Sequence, residues 1–154
     1  MIRITTNSES ETFELGAALG RIIKARGLNH AFTSLSGDLG AGKTVFTKGF
    51  ASVISPGSRV KSPSYTIVNE YLRGDIPLYH FDFYRIADPE ELYGIGFEDY
   101  LEGGICIGEW CEKVTSELPE EMIKVNIFKT GDASREITIE FPETEAYKDV
   151  DIRL

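Results

Sequence analysis

The sequence lacks long apolar runs and clusters of cysteine. No run approaches the roughly 18 apolar residues of a membrane-spanning helix, and the first ten residues, MIRITTNSES, lack the pattern of a signal peptide. The only two cysteines, Cys106 and Cys111, have no histidine nearby and cannot form a four-ligand zinc site unaided. We therefore expect a cytoplasmic protein with no membrane partner and with reduced, partly buried thiols.

Positive charge is also scarce. The 16 lysines and arginines face 25 aspartates and glutamates, which gives a net charge of −9. Binding nucleic acid without a partner would need a basic stripe that displaces counterions, so the acidic balance argues against it. A local basic patch stays open at Arg59, Lys61, Arg73 and Arg85.

The composition is that of an ordinary globular protein. Residues 1–154 include 42% hydrophobic and 27% charged residues, with no internal repeat, low-complexity tract or linker. We therefore expect one domain with a substantial core.

Residues 37–44, GDLGAGKT, fit the spacing GxxxxGK[ST] of a phosphate-binding loop. Its glycines let the backbone turn N–H groups inward, and the positive end of the following helix completes a nest for a polyphosphate. Lys43 would reach the β- and γ-phosphates, and the hydroxyl of Thr44 would bind Mg²⁺. The motif predicts that the protein binds a nucleoside triphosphate.

Strand and helix patterns alternate around this loop. Ser8 and Glu11 are spaced as a capping box, and the proline in Asp88-Pro89-Glu90-Glu91 is typical of a helix start. Helices are predicted from Ser8 to about Arg26, over 44–53, from Asp88 and over 96–101; strands are predicted over 2–5, 31–36, 65–71, 78–82, 105–108, 122–128 and 135–141, the last two as a hairpin.

Two apolar strands are each associated with a carboxylate at their end. Asp82 ends the strand LYHFD, and Glu109 follows the strand ICIG, directly before the only tryptophan, Trp110. At the C-terminal edge of parallel strands, such acids can hold Mg²⁺ directly or through water, or orient the attacking water. His80 alternates with its neighbours, and we interpret it as packed rather than catalytic.

Missing motifs narrow the class of nucleotide-binding protein. The Asn-Lys-x-Asp motif that recognises guanine is absent, which favours adenine or weak base selectivity, and no arginine-rich lid segment follows the phosphate loop. The hydroxyls of Ser62, Ser64 and Thr66 are spaced either as a nucleotide-sensing loop or as an ordinary turn. A minimal ATP-hydrolysing domain is favoured, with a small-molecule kinase and a nucleotide-dependent binding switch as alternatives.

Several motifs together resemble the bacterial TsaE (YjeE) family, the small P-loop ATPases required for threonylcarbamoyl modification of adenosine 37 in tRNA. The motifs are SGDLGAGKT, VKSPSYT, YHFDFYR followed by DPEEL, and GEW, and the resemblance runs from Glu9 to about Trp110. One position departs from the family pattern, because Ser64 stands where the family usually has threonine. Serine and threonine both carry a hydroxyl group, so this position keeps one.

The resemblance implies a set of site residues for ATP and Mg²⁺. Lys43, Asp82 and Glu109 would be catalytic, Thr44 and Glu109 would ligate Mg²⁺, and Asp82 would be the Walker-B-like acid at the metal that positions water. The loop from Lys61 to Thr66 would respond to nucleotide state. Nucleotide contacts would come from Glu9, Thr12, Asp38, Leu39, Gly40, Ala41, Gly42, Lys43, Thr44, Ser64, Thr66 and Trp110.

The resemblance also implies partners. TsaE-like proteins bind a TsaB–TsaD complex and support its turnover by ATP hydrolysis, so tRNA contacts would run mainly through those partners, and we expect a monomer in isolation. For the fold we expect a P-loop NTPase-like three-layer α/β arrangement with a mixed, mostly parallel sheet and a C-terminal antiparallel hairpin.

Overall fold

The sheet that carries the phosphate-loop strand is mixed. The computed structural model describes residues 1–63 and 66–154. Within them the strands run in the order β1-β7-β6-β2-β5-β4-β3, with β6, β2, β5 and β4 parallel and the remaining pairs antiparallel. The strands are β1 (Ile2–Thr6), β2 (Ala31–Gly37), β3 (Val68–Tyr71), β4 (Leu78–Asp82), β5 (Ile105–Glu109), β6 (Ile123–Lys129) and β7 (Arg135–Glu140).

Helices cover both faces of this sheet, as expected for a three-layer α/β fold. The helices are α1 (Glu9–Ala25), α2 (Lys43–Ile54), α3 (Glu91–Gly94) and α4 (Phe97–Gly103). One core joins α1 and α2 to the sheet through Leu15, Phe46, Phe50 and Leu35, and a second core lies on the other face. No helix in the described residues is long and apolar enough to cross a membrane.

Helix α1 begins as its sequence indicates. The Ser8 side chain accepts a hydrogen bond from the Glu11 N–H at 3.1 Å, and the Glu11 carboxylate accepts one from the Asn7 N–H at 2.6 Å. In a standard capping box the Glu11 carboxylate would accept from the N–H of the N-cap residue, Ser8. Here it accepts from the N–H of Asn7, the residue before the N-cap. The helix ends before Gly27, which has φ 66°.

Two glycines let α1 and α2 pack with their backbones in close contact. A Cβ at Gly16 would lie 2.1 Å from the carbonyl oxygen of Phe46, and a Cβ at Gly49 would lie 1.9 Å from that of Phe13. Both positions therefore exclude any side chain. This interface fixes α2, and with it the loop at its N-terminus, against α1.

Most predicted elements are confirmed, including the C-terminal hairpin of β6 and β7. The prediction of a strand over residues 65–71 is wrong at its start, because β3 begins at Val68. Thr66 and Ile67 form a bend, with the Thr66 hydroxyl donating to the Val68 carbonyl at 3.2 Å. Tyr65 lies outside the described residues.

The helix predicted from Asp88 is shorter than expected. The Asp88 carboxylate accepts from the Glu90 N–H at 2.9 Å, and its carbonyl accepts from the Glu91 N–H at 3.0 Å. These bonds form a turn, and regular helix extends only from Glu91 to Gly94. A left-handed Gly96 with φ 71° then separates α3 from α4.

Candidate nucleotide-binding site

A cavity of about 650 Å³ opens at the C-terminal edge of the parallel strands. That volume is in the range of small-molecule sites. Three segments predicted from the sequence meet in it: the start of α1, the phosphate loop, and the ends of β4 and β5. Its lining is Glu9, Thr12, Leu39, Gly40, Gly42, Lys43, Thr44, Val45, Ser62, Asp82, Glu109, Trp110, Asp132, Ala133 and Arg135.

The phosphate loop has the backbone that its glycines predict. Gly40 has φ 77° and Gly42 has φ 108°, in the region that side chains resist. Gly42 is also the N-cap of α2, and no side chain caps this helix. The N–H groups of the first turn are therefore left to an external acceptor, and the helix end carries partial positive charge. This arrangement suits an anion.

Lys43 points back across the mouth of the loop. Its Nζ donates to the carbonyl oxygen of Gly37 at 2.7 Å and lies 3.9 Å from Oε1 of Glu109. The same Nζ lies 5.4 Å from the centre of the Trp110 ring. The ammonium group is thus held between the phosphate loop and the end of β5.

The strand register brings the two acids together. In the parallel ladders Asp82 is opposite Glu109, and Glu109 is opposite Leu35, two residues before Gly37. Residues opposite each other in adjacent strands point to the same face, so both carboxylates lie on the side of the sheet that carries α2. The acids and the phosphate loop therefore share one edge and one face.

Glu109 is buried and held by a histidine. Its Oε2 lies 3.0 Å from Nε2 of His80, which has no exposed surface. The other ring nitrogen of His80, Nδ1, has no hydrogen-bond partner among the described residues. Because a carboxylate only accepts hydrogen bonds, the Nε2–H of His80 is the donor of this contact. His80 is packed, as predicted, but its contact with Glu109 was not foreseen.

Asp82 is half-buried beside Glu109. Burial raises the pKa of the Asp82 carboxyl, partly offset by a hydrogen bond from the Tyr84 N–H at 2.9 Å, and the charge of Glu109 raises it further. Two carboxylates in one cavity disfavour each other's charged form. A cation between them would remove this conflict.

The start of α1 forms the far wall of the cavity. Thr12 is buried, and its hydroxyl lies 2.8 Å from that of Thr6, whereas Glu9 is exposed. Thr12 thus anchors the helix to β1 behind the cavity, while Glu9 faces its opening.

Three of the predicted residues that the structure describes, Asp38, Ala41 and Thr66, lie outside the lining. The carbonyl oxygen of the exposed Asp38 accepts a hydrogen bond from the Ala41 N–H at 3.0 Å. Ala41 is buried and packs beneath the loop. Thr66 lines a neighbouring cavity that shares Asp82 and Ser62 with the first. Ser64 lies outside the described residues.

Sequence reasoning missed the hairpin side of the cavity. Asp132, Ala133 and Arg135 line it, although only their turn and strand character was predicted. The Arg135 guanidinium donates to the carbonyl oxygens of Ala41 at 2.7 Å and Gly40 at 3.2 Å. The one available signal was that a turn following β6 must lie at the same edge as the phosphate loop.

The donors present fit a nucleotide with magnesium. Among the described residues, no three His, Cys, Asp or Glu side chains gather closely enough to hold a metal ion by themselves. Mg²⁺ is usually bound by one or two carboxylates, water and the phosphates of its substrate, with oxygen ligands throughout. The hydroxyl of Thr44 and the carboxylates of Asp82 and Glu109 are oxygen donors of this kind.

Comparison with known proteins points to one family. Residues 6–137 match the family model described as "Threonylcarbamoyl adenosine biosynthesis protein TsaE". Proteins named tRNA threonylcarbamoyladenosine biosynthesis protein TsaE include a Bacillus subtilis relative, 46% identical over 106 residues, and a Haemophilus influenzae relative, 51% identical over 100 residues. These alignments cover 68% and 64% of this chain, and 66% and 63% of the relatives' own lengths.

Two further comparisons extend over nearly the whole chain. The relative of the same name from Treponema pallidum is 35% identical over 139 residues, covering 90% of this chain and 99% of its own. The crystal structure of Bacillus subtilis YdiB superposes with a TM-score of 0.72 at 34% identity, covering 90% of this chain and 83% of that one.

Proposed function

The chain belongs to the TsaE family of threonylcarbamoyl adenosine biosynthesis proteins, and from that premise we propose that it binds and hydrolyses ATP with Mg²⁺ in that pathway. The observation that carries the proposal is one cavity in which Lys43, Asp82 and Glu109 meet an uncapped helix N-terminus. The helix N-terminus and Lys43 can bind a polyphosphate. The two carboxylates can hold a cation and a water molecule.

Each group has a role that follows from its position. The N–H groups at the start of α2 and the ammonium of Lys43 bind phosphate oxygens and stabilise the charge that develops during hydrolysis. Thr44 and Glu109 hold the metal, and His80 orients Glu109. Mg²⁺, when bound, supplies positive charge to the phosphate oxygens. Asp82 orients the attacking water.

Hydrolysis by the isolated chain is expected to be slow. Arg135, the arginine in the cavity lining, already donates to backbone carbonyls, and Arg85 lines the neighbouring cavity. An arginine that reaches the transferred phosphoryl group typically contributes about 10³–10⁵ in rate. A partner that completes the site would therefore accelerate the reaction.

The proposed partner is a TsaB–TsaD complex, with tRNA bound mainly through it. The net charge of −9 supports this arrangement, because a chain with so few basic residues is poorly suited to grip tRNA alone. The acidic surface also suits a protein partner with basic regions.

The test is ATP hydrolysis by the purified protein, alone and with TsaB–TsaD, with Lys43→Ala and Asp82→Asn compared. We expect slow turnover that rises with the partners and is lost in both variants. Asp82→Asn should still bind ATP, because the phosphate loop is untouched. It should also melt at the same or a higher temperature, because it removes a half-buried charge.

Three results would contradict the proposal. A rate with partners no higher than the rate without them would remove the accessory role. An Asp82→Asn variant that supports tRNA modification without hydrolysis would favour the binding switch. Turnover stimulated by a small hydroxyl compound in place of the partners would favour the kinase.

A further inference from the structure

Arg135 joins the C-terminal hairpin to the phosphate loop. Its Nε donates to the carbonyl oxygen of Ala41 at 2.7 Å, and one terminal nitrogen donates to that of Gly40 at 3.2 Å. The other terminal nitrogen donates to the carbonyl oxygens of Gly131 at 3.0 Å and Ser134 at 2.8 Å, within its own turn. All three guanidinium nitrogens are thus engaged with backbone oxygens.

The strand register explains why this contact spans so much of the sequence. Gly37, the last residue of β2, is opposite Ile127 of β6, and Ile127 is opposite Ile137 of β7. Arg135 lies two residues before Ile137, so its side chain is on the same face and nearer the edge where the loop begins. The guanidinium can then reach a carbonyl 94 positions earlier in the chain.

The contact fixes the orientation of one peptide group. In a trans peptide the C=O and N–H point in opposite directions, and the described chain has no cis peptide bonds. Holding the Ala41 oxygen toward Arg135 therefore turns the Gly42 N–H away from it, at the uncapped N-terminus of α2. Gly42 has φ 108° and no side chain, so it has no group of its own that restrains that peptide.

We infer that Arg135 is a positioning residue for nucleotide binding. It keeps the Ala41–Gly42 peptide in the orientation that offers its N–H to a phosphate, and it neutralises two carbonyl dipoles beside an anion site. The inference rests on the proposed function, since it assigns a further residue to the same nucleotide site. The arginine acts through the loop rather than by contact with the γ-phosphate, because its nitrogens are already donating.

The test is calorimetric titration of wild type, Arg135→Ala and Arg135→Lys with Mg-ATP and with Mg-ADP. We expect Arg135→Ala to weaken both nucleotides by a similar factor, about 10- to 100-fold, the size of a lost charge-assisted hydrogen bond. Arg135→Lys should lose less, because one ammonium can hold one carbonyl but cannot bridge two. Guanidinium ion at millimolar concentration should restore part of the affinity of Arg135→Ala.

Arg3→Ala is the matched control. Arg3 is an exposed arginine on β1, paired at 3.6 Å with Glu136, and it lies opposite Thr138, three positions along the strand from the pair Thr6–Arg135, so its loss removes one positive charge from the same sheet without touching the loop. It should bind both nucleotides as wild type does. Thermal melting shows whether each variant is folded. If Arg135→Ala unfolds, the nucleotide affinity of Arg135→Lys is compared with that of wild type instead.

The outcomes separate this inference from the proposed function. Wild-type affinity in Arg135→Ala would overturn the inference while leaving ATP binding intact. A loss confined to ATP would also overturn it, because that pattern indicates contact with the γ-phosphate. A wild-type protein that binds neither nucleotide would overturn the proposed function itself.

Discussion

The contact between His80 and Glu109 is a buried polar contact within the site. A carboxylate taken out of water needs hydrogen bonds that replace its hydration, and His80 provides one at 3.0 Å. Lys43 is the nearby cation, at 3.9 Å. The histidine therefore stabilises the fold and fixes the direction of the carboxylate at the same time.

Replacing His80 with phenylalanine should destabilise the protein while nearly keeping the volume of the ring. We expect the free energy of unfolding to fall by about 1–3 kcal/mol, because a buried acceptor loses its donor. Urea denaturation measures the change. His30→Phe, at the exposed second histidine of the chain, is the control and should stay close to wild type. Equal stabilities of the two variants would contradict this reading of the pair.

The site residues that could be predicted are those with a local signature. Lys43 and Thr44 follow from the spacing of the phosphate loop, and Asp82 and Glu109 from their places at the ends of apolar strands. Arg135 could not be predicted, because its contact with the loop depends on the register of three strands and no short motif records it.

At the scale of elements, the packing of α1 against α2 decides where the phosphate loop lies. Gly16 and Gly49 face carbonyl oxygens of the opposite helix, so each helix inserts its backbone where the other has no side chain. Helices normally pack 8–10 Å apart according to the side chains at their contact, and glycines allow the closest approach.

Gly49→Ala should therefore be strongly destabilising. A Cβ only 1.9 Å from a backbone oxygen cannot be accommodated by rotating a side chain, so the helices must separate. We expect a loss of about 3 kcal/mol or more, at the upper end of overpacking effects. Thermal melting and circular dichroism would measure it.

Gly94→Ala is the control for this substitution. Nothing lies within 4 Å of a Cβ at Gly94, so alanine there should be neutral or slightly stabilising. A Gly49→Ala variant as stable as Gly94→Ala would show that the helices can move apart without cost.

Helices and strands could be predicted where the periodicity of the hydrophobic residues and the turn or capping residues beside them indicate the same element. The hairpin of β6 and β7 has both, and the capping residues of α1 stand directly before its apolar face. The predicted strand starts earlier than β3 because the alternating pattern continues through Thr66 and Ile67. In the structure these two residues form a bend, in which the Thr66 hydroxyl donates a hydrogen bond to the Val68 carbonyl oxygen. The close packing of Gly16 and Gly49 has no sequence signal of its own.

At the scale of the whole molecule, the two free thiols lie in the core on the second face of the sheet. Burial raises the pKa of Cys106 to about 12 and that of Cys111 to about 12, from an ordinary value of 9.0. Both residues are buried, and Cys106 lies on the interior strand β5. A thiol reagent should therefore reach them only when the core opens.

Stability should fall with rising pH because of these thiols. Between pH 9.0 and about 12 the unfolded chain loses thiol protons that the folded chain keeps. The free energy of unfolding then decreases by up to about 1.4 kcal/mol per pH unit for each thiol. Below this window the contribution is fully present. Urea denaturation across the window measures the slope, and a Cys106→Ala/Cys111→Ala variant should show a shallower one. Equal slopes would contradict the prediction.

The position of Trp110 gives the protein an optical readout of its own site. It is the only tryptophan of the chain, it is 37% exposed at the rim of the cavity, and its ring lies 5.4 Å from the Lys43 ammonium. A cation near an indole alters its emission, and phosphate would draw that cation away. All tryptophan fluorescence of the protein therefore arises at the candidate nucleotide site, so binding of a ligand there can be followed in unlabelled protein.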